Sequence, residues 1–168
     1  MLVLGLDPGL NRTGYAVLRI ERPGQPPRLI EGGVIRSDAA EPLARRLLEL
    51  RSGLVEVLTE HPIDAAAIEK VFSLARNPKT ALLMAHARGS LLVTLAESGV
   101  IPAHYTPREI KKRMTGSGAA DKEQVQRAVQ AELGLAEILR PDDVADAAAI
   151  ALCLVGDPRM RAAGEVVR

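Results

Sequence analysis

The chain has 168 residues, enough for one domain with a real core, and its 47% hydrophobic and 26% charged composition excludes disorder as a class. A formal net charge of +1 gives no global signature of nucleic-acid binding, so any such reading must rest on local charge. A single cysteine, Cys153, excludes an intrachain disulfide, and it lies in an Ala-rich apolar run where a buried thiol is the ordinary expectation.

Leu2 to Leu6 is a short apolar run that stops at Asp7-Pro-Gly, which reads as a buried strand ending in a turn. It has neither a charged start nor a cleavage signature, so it is not read as a signal peptide. Gly14 to Ile20 and Leu29 to Ile35 read as two further strands around a Pro/Gly loop. The connections are too short for parallel crossovers, so the three strands form an antiparallel meander. Leu43, Leu47, Leu50, Leu54 and Leu58 then recur at helical spacing, predicting a helix over about Glu41 to Glu60 with Pro42 in its first turn. Ala65 to Ile68 is a short buried strand ending at Glu69, followed by a helix from about Thr80 to Glu97 with Gly99 as its stop. Ala103 to Tyr105 is a brief strand. A short helix from Pro107 to Arg113 leads to the loop Thr115-Gly-Ser-Gly-Ala-Ala, and Asp121 caps a helix to about Leu133. The last helix runs from about Pro141 or Asp142 to Leu154. The fold class is therefore α/β: a five-stranded mixed sheet, three meander strands plus two more, flanked by helices. Residues 1–157 form the domain, and 158–168 are expected to be a flexible tail. The longest apolar run near the C-terminus, Ala147 to Val155, is too short to span a bilayer, and a cytoplasmic protein is expected.

Asp7 and Glu69 close apolar strands, where α/β sheets place ligands. Asp143 and Asp146 are three apart, so they share one face of a helix whose other residues are small or apolar. Phosphodiester hydrolysis needs an activated water and charge relief on the leaving oxygen, and two Mg²⁺ or Mn²⁺ ions about 3.5–4 Å apart supply both. Hard cations take oxygen ligands, so a few carboxylates suffice. Taken singly, each acid is as well explained as a turn residue, a strand cap or a surface charge; the set is what points to a site. His61, His86 and His104 are scattered and read as structural or surface residues, which leaves no zinc cluster. The turn Asp7-Pro-Gly-Leu-Asn-Arg-Thr-Gly14 fits D-x-G-x-x-x-x-G, whose glycines allow positive φ and close approach between the first two strands. A similar turn cradles phosphate in two-domain nucleotide-binding proteins, for which this chain is too short.

Local charge adds a second layer. Between His104 and Lys122, Arg108, Lys111, Lys112, Arg113 and Lys122 outnumber Glu109 and Asp121, and backbone amides around Gly116 and Gly118 could approach a phosphate. A solvated helix face explains the charge equally well. Lys70, Arg76, Lys79 and Arg88 follow Glu69, together with Phe72, the one phenylalanine. An aromatic in a basic loop can stack on an unpaired base, for about 1–3 kcal/mol, although a lone aromatic is more often core.

These residues in this order resemble the RuvC family of Holliday-junction resolvases over nearly the whole chain. The resemblance rests on Leu6-Asp7-Pro-Gly-Leu-Asn-Arg-Thr-Gly14, Ile68-Glu-Lys-Val-Phe72, Ala87-Arg-Gly89, Tyr105-Thr-Pro107, Lys111, Gly116-Ser-Gly118, Lys122-Glu-Gln-Val125 and Pro141-Asp-Asp-Val-Ala-Asp146-Ala-Ala-Ala. It implies a ribonuclease-H-like fold and a homodimer joined through the helix near Thr80 to Glu97. It implies that Asp7, Glu69, Asp143 and Asp146 are the catalytic acids and hold two Mg²⁺ ions, with Mn²⁺ able to substitute. Lys111 and Lys122 fall near the scissile phosphate and Phe72 at the junction centre; Arg76, Lys79, Lys112, Gly116 and Gly118 join the expected DNA contacts. The substrate would be four-way junction DNA, nicked in pairs during recombination and repair, with a branch-migration motor as partner. Two other readings stay open on the residues alone: a related nuclease for structured RNA, and a binding module without catalysis.

Overall fold

The computed structural model describes residues 1–22, 25–71 and 78–158. Phe72, Arg76 and most of the expected tail, 159–168, lie outside them. Strands β1 (Leu2–Asp7), β2 (Arg12–Arg19) and β3 (Arg28–Arg36) precede α1 (Leu43–Glu60) and β4 (Ala65–Glu69); α2 (Pro78–Glu97), β5 (Ala103–Tyr105), α3 (Pro107–Thr115), α4 (Lys122–Glu132) and α5 (Asp142–Val155) follow. One sheet has the order β3-β2-β1-β4-β5, with the meander antiparallel and β4 and β5 parallel to β1. This is the five-stranded mixed sheet read from the sequence.

The boundaries differ where backbone partners extend or end an element. β2 starts at Arg12 because the ladder continues to Arg12↔Arg36 on β3. Pro42 sits outside α1 as its N-cap, with extended backbone at φ −59° and ψ 149°. Helix α3 runs to Thr115 and ends at Gly116, whose φ of 80° supplies the left-handed cap. Asp121 caps α4 as expected, in a reciprocal arrangement with Gln124.

Alternation along β1 splits the core. Leu2, Leu4 and Leu6 face α1 and α2, where Leu50, Leu54, Leu91 and Leu95 are buried. Val3 faces the opposite layer of α3, α4 and α5. Among the described residues no helix is long and apolar enough to cross a membrane.

Helix α5 approaches the backbone of the sheet closely at Gly5 and Gly14. A methyl carbon added at Gly5 would sit 2.1 Å from the Ala147 carbonyl oxygen and 2.7 Å from the Ala151 amide nitrogen. One added at Gly14 would sit 2.2 Å from the Asp143 carbonyl oxygen. Gly14 was expected to serve a turn through positive φ; its φ is ordinary, and the missing side chain makes room for α5. The alanines of α5 complete this contact, since Ala147, Ala148, Ala149 and Ala151 are all fully buried.

Candidate active site

The sheet and α5 together determine where the four acids fall. Leu6 pairs with Ile68, so Asp7 and Glu69 follow side by side at the carboxyl ends of two parallel strands. Asp7 in turn pairs with Gly14, and Gly14 is where the backbone of Asp143 rests. The first turns of α5 are thereby laid over the end of β1, with Asp143 and Asp146 on that helix. None of the four is fully exposed.

Their electrostatics report one cluster. Burial, then the negative charges of Asp146 and Asp143, push the Asp7 carboxyl up to about 7, against an opposing pull from Lys122. Burial, then Asp7 and Asp146, raise Glu69 to about 7, with Lys111 acting the other way. Asp146 is raised by burial, and Lys122 opposes that rise. Carboxylates that disfavour one another's charge could together hold a cation. All four offer oxygen only, which fits a hard divalent metal.

The cations come from separate elements of the fold. Lys122, the first residue of α4, places Nζ 3.1 Å from Asp146 and 3.3 Å from Asp142. Partial burial lowers its pKa, but the hydrogen bonds to those acids outweigh this, and the ammonium is held above its ordinary value. Lys111, on α3, is half-buried and acts on Glu69 through its charge. Arg12, on β2, donates from Nη2 to Asp143 Oδ2 at 2.6 Å. Asp142 also receives Arg140. Arg88 reaches from α2 to donate to the Glu69 carbonyl oxygen at 2.9 Å and lies 2.7 Å from His104 Nδ1.

Of the expected DNA contacts, Lys79 and Lys112 are exposed on α2 and α3, Gly116 caps α3, and Gly118 lies against Arg108. Phe72 and Arg76 fall outside the described residues. The sequence reading overlooked Arg12, Asp142 and Arg140 as neighbours of the acids. Arg12 and Asp143 are 131 residues apart, and no local pattern joins them. Asp142 had a signal, being one of two consecutive acids in the first turn of α5.

Among the described residues, the one group of possible ligands with atoms all within 4.8 Å of one another is Glu31, Glu60 and His61, on β3 and at the end of α1. Two of its members are already engaged. Tyr15 donates to Glu31 at 2.5 Å, and His61 Nε2 lies 2.6 Å from Glu31. His61 and His104 thus have specific partners, in keeping with structural roles.

Comparison with known proteins bears on the whole chain. The model of the family described as crossover junction endodeoxyribonuclease RuvC matches residues 3–154. The protein of that name from Rhodopirellula baltica is 49% identical over 151 residues, covering 90% of this chain and 84% of its own. The one from Moorella thermoacetica is 45% identical over 153 residues, covering 91% and 90%. The Thermus thermophilus RuvC structure superposes with a TM-score of 0.87 at 36% identity, covering 95% of this chain and 96% of that one. The same bacterium's RuvC in complex with a Holliday junction substrate gives 0.83 at 35% identity, over 91% and 92%. A yeast mitochondrial Holliday junction resolvase, 14% identical with a TM-score of 0.67, shares the fold.

Proposed function

Because the chain belongs to the RuvC family of crossover junction endodeoxyribonucleases, we propose that it resolves four-way DNA junctions by paired, metal-dependent nicks during recombination and repair. The observation that carries the chemistry is the meeting of Asp7, Glu69 and α5 at the carboxyl ends of β1 and β4. Asp7, Glu69, Asp143 and Asp146 are the residues that would hold Mg²⁺, in two ions, or Mn²⁺ in its place. Bound there, such ions supply a nucleophilic water and charge relief at the leaving oxygen. The strand pairing of Asp7 and Glu69 and the close seat of α5 support this reading. Lys122 beside Asp146 and Lys111 acting on Glu69 bring positive charge to the cluster, where an approaching phosphate would meet it. Lys79, Lys112, Arg76 and the backbone around Gly116 and Gly118 extend the phosphate contacts outward, and Phe72 stacks at the junction centre. A second copy of the chain, joined through α2, provides the second nick. Such a dimer acting with a branch-migration motor completes the reading.

The test is incubation with a labelled synthetic four-way junction and a matched linear duplex, with and without Mg²⁺ or Mn²⁺. Symmetric nicks in the junction alone, dependent on metal, are the expected result. Junction affinity should also fall steeply as salt rises, because phosphate contacts release counterions. Cleavage of structured RNA with the junction left intact would overturn the proposal. A narrower expectation concerns Lys122→Gln. It should slow single-turnover cleavage by about 10- to 100-fold while junction affinity stays within about three-fold, as befits a cation that acts on developing charge. An equal loss in both would make Lys122 a binding residue only.

A further inference from the structure

We propose that Arg12 is a metal-linked cation, which neutralises Asp143 when the site holds no divalent ion and turns to a DNA phosphate when one enters. The inference rests on the reading of the four acids as the metal site. Arg12 begins β2, where its backbone is fixed by pairing with Arg36 on β3. The turn before it is tied to β2, since the Thr13 hydroxyl donates to the Gly9 carbonyl oxygen at 2.9 Å. The freedom at this position therefore lies in the side chain, which is 41% exposed, against 24% for Asp143. One guanidinium nitrogen contacts the carboxylate. A guanidinium carries five N–H donors in all, so most of its donors remain for another acceptor.

A divalent ion at Asp143 would compete with Arg12 for the same oxygens and repel its charge. Lys122 differs, because it bridges two acids, Asp142 and Asp146, and keeps the former when the latter is taken. Among the described residues, Arg12 has its one carboxylate contact at Asp143. Displaced, it stands at the rim of the cluster with its charge uncompensated, beside the place where the substrate phosphate must approach. Metal binding and the Arg12–Asp143 pair then oppose each other, while metal and DNA reinforce each other.

The test titrates Mn²⁺ calorimetrically into the full-length protein without DNA, using Asp7→Asn as the blank for other sites such as Glu31, Glu60 and His61. Arg12→Gln should bind Mn²⁺ about two- to five-fold more tightly than wild type, the range an exposed ion pair supports. Arg12→Lys, which keeps the charge, should return close to wild type. Junction binding is then followed by stopped-flow anisotropy, before cleavage, in EDTA and in Mn²⁺. Wild type should gain more from Mn²⁺ than Arg12→Gln does. Unchanged or weaker Mn²⁺ affinity in Arg12→Gln overturns the proposal, as does an equal loss of junction affinity with and without metal. Absence of any Mn²⁺ binding above the blank in wild type would remove the metal-site reading as well, which separates the two failures.

Discussion

Replacing Asp7 with asparagine should abolish metal-dependent junction cleavage, by ~10³-fold or more, and at the same time make the metal-free protein harder to melt. Both effects have one origin. Asp7 and Glu69 titrate near 7 in the folded chain, because burial and like charges disfavour their ionised forms. Unfolded, they return to ordinary carboxylate values near 4. Between those limits the folded state binds more protons than the unfolded one, so stability falls as pH rises through that window. The stabilising contribution is fully present below about pH 4 and lost above about pH 7. Neutralising Asp7 removes much of this penalty, on the order of 2 kcal/mol at pH 8. A melting curve in EDTA should show Asp7→Asn several degrees above wild type at pH 8, and the gap should close toward pH 4. Adding Mg²⁺ at pH 8 should raise the wild-type Tm and leave the variant nearly unmoved. A variant that melts lower than wild type at pH 8 would show that Asp7 stabilises the fold, contrary to its electrostatic setting.

The second large effect is structural. Gly5→Ala places a carbon against the carbonyl oxygen of Ala147 and the amide of Ala151, and neither backbone atom can yield while α5 stays seated. A loss of about 3 kcal/mol or more in urea unfolding is expected, at the upper end of overpacking costs. Because α5 carries Asp143 and Asp146, activity should fall beyond what the residual folded fraction explains. Gly32→Ala offers the contrast. Its added carbon meets the Val144 side chain at 2.5 Å, so trimming Val144 to alanine should restore much of the lost stability. No trimming of Ala151 should rescue Gly5→Ala, since the nearest obstacle is a main-chain oxygen. If Gly5→Ala unfolds at the wild-type urea concentration, α5 does not rest on β1 as described.

The elements that were legible in the sequence are those whose signal is local. β1 announces itself as an apolar run closed by Asp7, and Asp121 announces α4 as its N-cap. The strand-end positions of Asp7 and Glu69 followed from the same runs, and the shared face of Asp143 and Asp146 from helical spacing. Contacts between distant segments were not legible. Arg12 looked like one more polar residue of a glycine turn, because its partner lies on the far helix. Gly5 and Gly14 looked like a strand residue and a turn residue; the reason neither tolerates a side chain is a helix that arrives much later in the chain. Arg88 was noted for charge, but its hold on the Glu69 main chain depends on how α2 crosses the sheet.

The close seating of α5 on β1 also sets when the acid cluster is completed during synthesis. The strand holding Asp7 leaves the ribosome early, whereas the helix that lies across it emerges only after every strand of the sheet. A nascent chain has Asp7 and Glu69 before Asp143 and Asp146 have been made, and so lacks half of the acid cluster. Pairing between the two ends of the sequence is slow to form but cooperative once begun. On the proposed assignment of the acids, cutting competence should therefore arrive late in maturation, once α5 has been made and has docked on β1.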